Sequence, residues 1–248
     1  MKKLSFFAVF ITILIACNVR KEPNLTIAAA ANVQFAMEEL TGLYIQKTGE
    51  RCDVIPSSSG KLTAQIKEGA PYDLFISADM KYPEELYRSG LTTGPPKAYA
   101  FGKLVLWTMM ESLQPTPALL TDNRVKHIAL ANPKTAPYGE AAIAALQFLH
   151  LYELAQPKLV FGESISQVNQ FVISKTAEVG FTAKSVVLSP KMKGQGQWSE
   201  VPQEAYPPIA QGVVVLKNGQ LEKAEAFYSF LFSAEGKAVL EKYGYAVD

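Results

Sequence analysis

Short uncharged apolar runs alternate with amphipathic stretches along most of the chain. Leu25-Thr26-Ile27-Ala28-Ala29-Ala30 has the pattern of a strand buried in a parallel sheet. After Ala31-Asn32, the residues Val33, Met37, Leu40 and Tyr44 fall on one helical face, with Asn32 at the N-cap place and Gly49 as the stop. Cys52 to Ile55 is a second strand. Ser57-Ser58-Ser59-Gly60 hands it over to a helix from Lys61 to Glu68. Gly69-Ala70-Pro71-Tyr72-Asp73 is a turn, Leu74 to Ser77 a third strand, and Ala78-Asp79 starts a helix that runs to Arg88 and stops at Ser89-Gly90. Three strand–helix units within about 65 residues predict a parallel sheet with right-handed crossovers.

Gly94-Pro95-Pro96 interrupts this pattern, and Phe101 to Thr108 reads as one long apolar strand. The alternation then resumes. A strand from His127 to Ala131 ends in Asn132-Pro133, and Pro137-Tyr138-Gly139 leads into a helix from Glu140 to Leu154. Leu159-Val160-Phe161 is followed by Gly162-Glu163-Ser164 and a helix from Ile165 to about Lys175. Val179-Gly180-Phe181 is a short strand, Lys191 to Gln197 a polar loop, and Ile209 to Leu216 a strong strand. Helices from Leu221 to Phe232 and from Ala234 to Tyr243 close the chain. Two runs of strand-then-helix predict an α/β protein of two lobes. Residues 25–100 with 207–248 form the first, and residues 101–206 the second.

Composition narrows the class. With 48% hydrophobic and 19% charged residues the chain is globular, and its net charge of +1, with no basic patch, argues against a nucleic-acid partner. Met1-Lys2-Lys3 and the apolar run from Leu4 to Ile15 have the form of a signal peptide, residues 1–16, too short to span a bilayer comfortably. Leu14-Ile15-Ala16-Cys17 resembles a bacterial lipobox. It implies cleavage before Cys17, acylation of that cysteine, a lipidated tether over residues 17–24, and a membrane-anchored protein outside the cytoplasm. An ordinary secretory signal with a chance cysteine is the alternative. The other cysteine, Cys52, reads as a small buried hydrophobe, so neither a disulfide framework nor a cysteine-based metal site is expected.

Several chemistries fail on spacing. A phosphate-binding P-loop around Gly60-Lys61 would need glycine at Ile55 and a hydroxyl residue at Leu62. Lys61 then reads as a solvated lysine on the first helical turn. His127 and His150 lie on different elements with no ligand pattern for zinc, and no serine has a histidine placed to activate it. A carboxylate pair, Asp73 with Asp79, is the harder case. The plainer reading is that Asp73 organises a turn and Asp79 caps a helix. What remains is a recurring device: small or hydroxyl residues at strand-to-helix turns, at Ala31-Asn32, Ser58-Ser59, Tyr138 and Ile165. First-turn N–H groups lack intrahelical acceptors and sit at the positive end of the helix dipole, which suits an anion. Sites in open α/β sheets form at the C-terminal ends of the strands.

These residues carry a family resemblance. Leu25 to Asn32, Ser57 to Ile66, Gly69 to Asp79, Asn132-Pro133 with Pro137-Tyr138-Gly139, Val179-Gly180-Phe181 and Lys242-Tyr243-Gly244-Tyr245 resemble molybdate-binding proteins of ABC importers, from about Leu25 to Val247. The resemblance implies a type II periplasmic-binding-protein fold, two α/β lobes with a ligand cleft that closes on a tetrahedral oxyanion. It implies molybdate or tungstate as ligand, no cofactor and no catalysis. The implied partners are an ABC permease with its cytoplasmic ATPase, and the implied state is a monomer. It assigns the oxyanion to Asn32 with the backbone of Ala31, to Ser59 with Ser58 next, and to the backbone N–H groups of Tyr138 and Ile165. The metal centre would be reached through its own oxygens only, without direct ligation by Asn32, Ser59, Tyr138 or Ile165. One departure stands out: many members carry a tyrosine where this chain has Ala183. Either Tyr138 supplies a hydroxyl, or the site has fewer donors, or it prefers another oxyanion. A subgroup with asparagine in the first loop and tyrosine in the Pro-x-Gly loop resembles this chain. Binding of sulfate or phosphate is the alternative function, and an extracytoplasmic hydrolase a more distant one.

Overall fold

The computed structural model describes residues 23–217 and 219–247. The expected signal segment, Cys17 and most of the tether lie outside the described residues. In chain order the elements are β1 (Leu25–Ala30), α1 (Gln34–Thr48), β2 (Cys52–Ser57), α2 (Ser59–Lys67), β3 (Leu74–Ile76), α3 (Lys81–Arg88), β4 (Lys97–Gly102), β5 (Leu104–Thr108) and β6 (Ile128–Ala131). They continue with α4 (Pro137–Phe148), α5 (Tyr152–Ala155), β7 (Leu159–Gly162), α6 (Ile165–Ile173), β8 (Val179–Ala183), α7 (Lys184–Val187), β9 (Gln197–Glu200), β10 (Ile209–Val215), α8 (Leu221–Leu231) and α9 (Ala234–Lys242).

The strands form two sheets of the same design. One has the order β2-β1-β3-β10-β4, the other β7-β6-β8-β5-β9. In each, three strands run parallel, β2-β1-β3 and β7-β6-β8. A strand that has just crossed from the other lobe then pairs antiparallel: β10 with β3 and β4, β5 with β8 and β9. This is the two-lobed α/β architecture that the alternating pattern predicts.

Period-two alternation decides which face each helix covers. Leu25, Ile27 and Ala29 of β1, Leu74 and Ile76 of β3, and Val213 and Val215 of β10 pack with Met37, Leu40, Phe227 and Leu240 from α1, α8 and α9. Their neighbours Ala28, Phe75 and Val214 point to the opposite face and pack with Leu62, Ile66 and Leu86 from α2 and α3. The second lobe is built around fully buried Trp107, Leu130, Val168 and Phe181.

Four local readings change. The apolar run from Phe101 to Thr108 is two strands, broken at Lys103. Phe101 and Gly102 pair with β10 in the first sheet, and Leu104 to Trp107 pair with β8 in the second. Both halves are buried, so hydropathy does not reveal that the partners switch. The helix expected to Leu154 ends at Phe148, and His150 takes a positive φ of 56° before α5. The segment Gln197–Glu200 is an edge strand too polar for its sequence to announce it. Asn32 is not an N-cap: it lies in a 3-10 turn, Ala31–Val33, ahead of α1.

Cys52 is half-buried rather than fully buried. Burial first, then Asp53 and Glu50, push its thiol up to about 12, so it stays protonated. Among the described residues no helix is long and apolar enough to cross a membrane.

Asp73 does more than shape a turn. Its buried carboxylate accepts from the Thr26 N–H at 2.6 Å and from the Gln220 N–H at 2.7 Å, tying β1, β3 and the approach to α8 together. Removing it strands two backbone donors. Asp73→Ala is expected to lower the free energy of unfolding by about 2–3 kcal/mol in a urea titration, and Asp73→Asn, which keeps one acceptor oxygen, by less.

Candidate functional site

The two sheets present the C-terminal ends of their parallel strands to one cavity. From the first lobe it is lined by Ala30, Ala31, Asn32, Ser58, Ser59 and Ala78, and from the second by Ala136, Pro137, Tyr138 and Ile165. All six ligand residues read from the sequence, Ala31, Asn32, Ser58, Ser59, Tyr138 and Ile165, are therefore brought together. The cavity is small, about 10 Å³, far below the range typical of sites for drug-sized ligands. Among the described residues no charged side chain lines it.

Each wall is a helix start. Ser59 opens α2 and is fully buried. Its Oγ accepts the Ala78 N–H at 3.0 Å, which leaves the hydroxyl proton to donate. Ser58 Oγ is buried without a partner. Pro137 takes the first position of α4, where its missing N–H costs nothing, so Tyr138 carries the first N–H of that helix. A Cβ on Gly139 would overlap the Ala131 carbonyl, so glycine is what lets α4 begin tight against the end of β6. Ser164 is extended, and Ile165 is the first residue of α6. These donors converge from both lobes without a counter-charge, an arrangement that can hold a small anion by hydrogen bonds and helix dipoles alone.

Asn32 differs from the sequence expectation. Its side-chain amide donates to Gln211 Oε1 at 2.8 Å and to the Tyr245 hydroxyl at 2.9 Å. Its carbonyl accepts from Ser185 Oγ at 2.7 Å. Both amide protons are engaged inside the protein, so the Asn32 side chain has no further proton to direct into the cavity. Gln211, Tyr245 and Ser185 are functional neighbours that sequence reasoning missed. They lie far along the chain from Asn32, and although Tyr245 is part of the Lys242-Tyr243-Gly244-Tyr245 motif, nothing in that motif points to Asn32.

Tyr138 also points elsewhere. A Cβ on Gly102 would overlap its hydroxyl, which therefore lies against the strand that crosses between lobes. It is buried with no hydrogen bond. Burial, and after it the neighbouring Tyr245, Tyr99 and Tyr206, hold it well above the usual phenol range; the nearby Asn32 side chain opposes this without reaching hydrogen-bond geometry. Ala183 is fully buried at the end of β8 and is not part of the cavity lining.

Contacts across the mouth hold the lobes together. The Gly60 N–H donates to the Thr135 carbonyl at 2.9 Å, and the Tyr82 hydroxyl to the Lys134 carbonyl at 3.2 Å. Ion pairs join Lys61 to Glu163 at 2.7 Å, Lys81 to Glu140 at 3.0 Å and Lys191 to Glu38 at 2.8 Å. Lys61 is thus a cross-cleft partner rather than a free solvated lysine. Such exposed pairs contribute about 0–1 kcal/mol each, so they add little to the seating of the lobes.

The remaining candidates are apart from the cavity. Asp73 precedes β3 and Asp79 follows it, so the two carboxylates sit at opposite ends of one strand and form no dyad. Among the described residues no group of three or more His, Cys, Asp or Glu is placed to hold a metal ion.

A family model described as bacterial extracellular solute-binding protein matches residues 25–246. The molybdate-binding protein ModA of Rhodobacter capsulatus is 39% identical over 223 residues, 89% of this chain and 87% of that protein. The molybdate-binding protein ModA of Azotobacter vinelandii is 37% identical over 238 residues, 94% of each. The solved structure of the Azotobacter vinelandii periplasmic molybdate-binding protein superposes with a TM-score of 0.86 at 34% identity, covering 91% of this chain and 100% of that one.

Asp79 yields a stability test. Its Oδ1 accepts from Ser77 Oγ at 3.0 Å and from the Tyr82 N–H at 3.3 Å, while Oδ2 is buried unpaired. Burial raises the carboxyl from 3.8 to about 6, against the opposing pull of the Tyr82 N–H and Ser77 hydroxyl; Glu140 adds to the rise and Lys81 reduces it. The folded chain therefore holds this proton more tightly than the unfolded chain. That contribution to stability is present at low pH and is lost as the pH rises through about 4 to 6. Asp79→Asn keeps an acceptor for Tyr82 and is expected to gain stability relative to the native chain across this window, then hold that gain at higher pH. Urea unfolding at about pH 4.5 and pH 7 measures it; a difference that does not change with pH contradicts the assignment.

Proposed function

The chain belongs to the bacterial extracellular solute-binding protein family, and on that premise we propose the following mechanism for it. Outside the cytoplasm it captures molybdate, or the nearly identical tungstate, and delivers it to an ABC permease driven by a cytoplasmic ATPase. The observation that carries this reading is the small cavity between the lobes, ringed by helix starts and buried hydroxyls with no charged side chain in its lining.

The chemistry follows from that lining. A tetrahedral dianion is fully deprotonated at neutral pH and presents only acceptors, which matches a ring of donors. A protonated phosphate would also need an acceptor, and among the lining side chains only the serine hydroxyls, which here serve as donors, could take that role. Sulfate has the same charge but is smaller, so donors spaced for the larger ion reach it less well. In this reading the ion is held by the Ser59 hydroxyl with Ser58 beside it, by the backbone N–H groups at Ala31 and Asn32, and by those of Tyr138 and Ile165. The metal centre is reached through its oxygens alone.

The expected division, residues 25–100 with 207–248 against residues 101–206, moves by two residues in this reading: Phe101 and Gly102 stay with the first lobe, because β4 pairs with β10, and the second lobe begins with β5. Closure about the two crossing segments traps the ion and shapes the surface that the permease meets. The protein works as a monomer and returns the ion unchanged. A lipid on Cys17, supported by the Leu14-Ile15-Ala16-Cys17 motif, keeps it at the membrane.

Isothermal titration with molybdate, tungstate, sulfate and phosphate tests the reading. Heat is expected with the first two and little with the others. Silence with both molybdate and tungstate overturns it, and a preference for sulfate or phosphate reassigns the ligand. Ser59→Ala removes one buried donor and leaves the Ala78 N–H without its acceptor, so molybdate affinity should fall by about 1–3 kcal/mol, roughly 5- to 150-fold.

A further inference from the structure

Gln211 is fully buried on β10, the strand by which the chain returns to the first lobe. Its Nε2 donates to the carbonyls of Ala78 and Ile209, each at 3.2 Å. Two acceptors on the nitrogen fix which way this amide faces, so its oxygen must be the atom that meets Asn32. That in turn fixes Asn32, whose Nδ2 donates to Gln211 Oε1 at 2.8 Å and to the Tyr245 hydroxyl at 2.9 Å. Tyr245 comes from the C-terminal segment, where Ala246 bridges Phe101 on the crossing strand β4. The second lobe completes the cluster: Ser185 Oγ donates to the Asn32 carbonyl, and the Tyr245 hydroxyl lies 3.1 Å from both that carbonyl and Ser185 Oγ.

Neither Gln211 nor Tyr245 lines the cavity, yet between them they take both side-chain protons of a residue that does. We propose that Gln211 and Tyr245 are positioning residues for oxyanion capture: they turn the Asn32 amide inward, so that the first loop meets the ion with a rigidly aimed backbone N–H. The inference rests on the capture reading above. Three features follow from it. The loop that touches the ion is anchored to both segments that carry the chain between lobes. The anchoring is completed by a hydroxyl from the second lobe, which links loop placement to closure. The hydroxyl count of the site is kept low, because the Asn32 side chain and Tyr245 serve each other instead of the ligand.

A double-mutant cycle separates positioning from general support. Gln211→Leu and Tyr245→Phe are each expected to weaken molybdate binding about 10-fold in the native background, while Asn32→Ala weakens it without abolishing it. In the Asn32→Ala background either substitution should change the affinity by less than about twofold, because the side chain through which they act is gone. Ser59→Ala, acting at a separate wall, should instead multiply with each of them. Thermal unfolding without ion identifies a variant that does not fold; Tyr245→Phe, which removes one oxygen, carries the same cycle if Gln211→Leu fails. Equal losses in both backgrounds overturn the proposal. So does loss of all binding in Asn32→Ala alongside native affinity in Gln211→Leu and Tyr245→Phe, which would make the Asn32 side chain a direct donor. A native chain that binds neither molybdate nor tungstate refutes the capture reading itself, and is told apart by that control.

Discussion

A helix cannot satisfy the N–H groups of its own first turn, and this protein is arranged around that constraint. Four chain segments, the turn at Ala31, α2, α4 and α6, start where a parallel strand ends, and all four starts face one cavity. Burying so many donors in one place without an acceptor would be costly. Such a cavity suits a ligand made only of acceptors. No charged side chain is among its lining residues, so the helix dipoles are its source of positive potential.

The same constraint explains what surrounds the site. Small residues at the strand ends, Ala30, Ala31, Ala78 and Ala136, let backbone approach the ligand closely. Pro137 and Gly139 set α4 tight against β6. Behind this ring, Gln211, Tyr245 and Ser185 hold Asn32, and the Tyr138 phenol runs to Gly102, where any side chain would collide with it. The polar groups nearest the cavity thus differ: Ser58 Oγ has no partner, whereas Asn32, Gln211, Tyr245 and Ser185 pair with one another.

The contacts across the cleft are of two kinds. Backbone and hydroxyl bonds such as Gly60 to Thr135 and Tyr82 to Lys134 demand a particular seating of the lobes. The ion pairs around the mouth are exposed and individually weak. The rim is thus made of modest contacts, and the directional bonds lie at Gly60 and Tyr82.

Much of this was written locally. The alternation of apolar runs and amphipathic stretches determined an α/β chain with two lobes, because burial on both faces of a sheet leaves a distinct residue pattern. The hydroxyl and small residues at strand-to-helix turns determined the cavity lining, because a helix start is a local feature with a fixed chemistry. Only the tertiary structure decided three things. The run from Phe101 to Thr108 is split between two sheets, since buried strands look alike whichever partner they pair with. Lys61 pairs across the cleft with Glu163, since an exposed lysine carries no mark of its partner. Asn32 turns its amide to Gln211 and Tyr245, since a side chain's hydrogen-bond partners are set by what folding brings beside it, here from β10 and from the segment after α9.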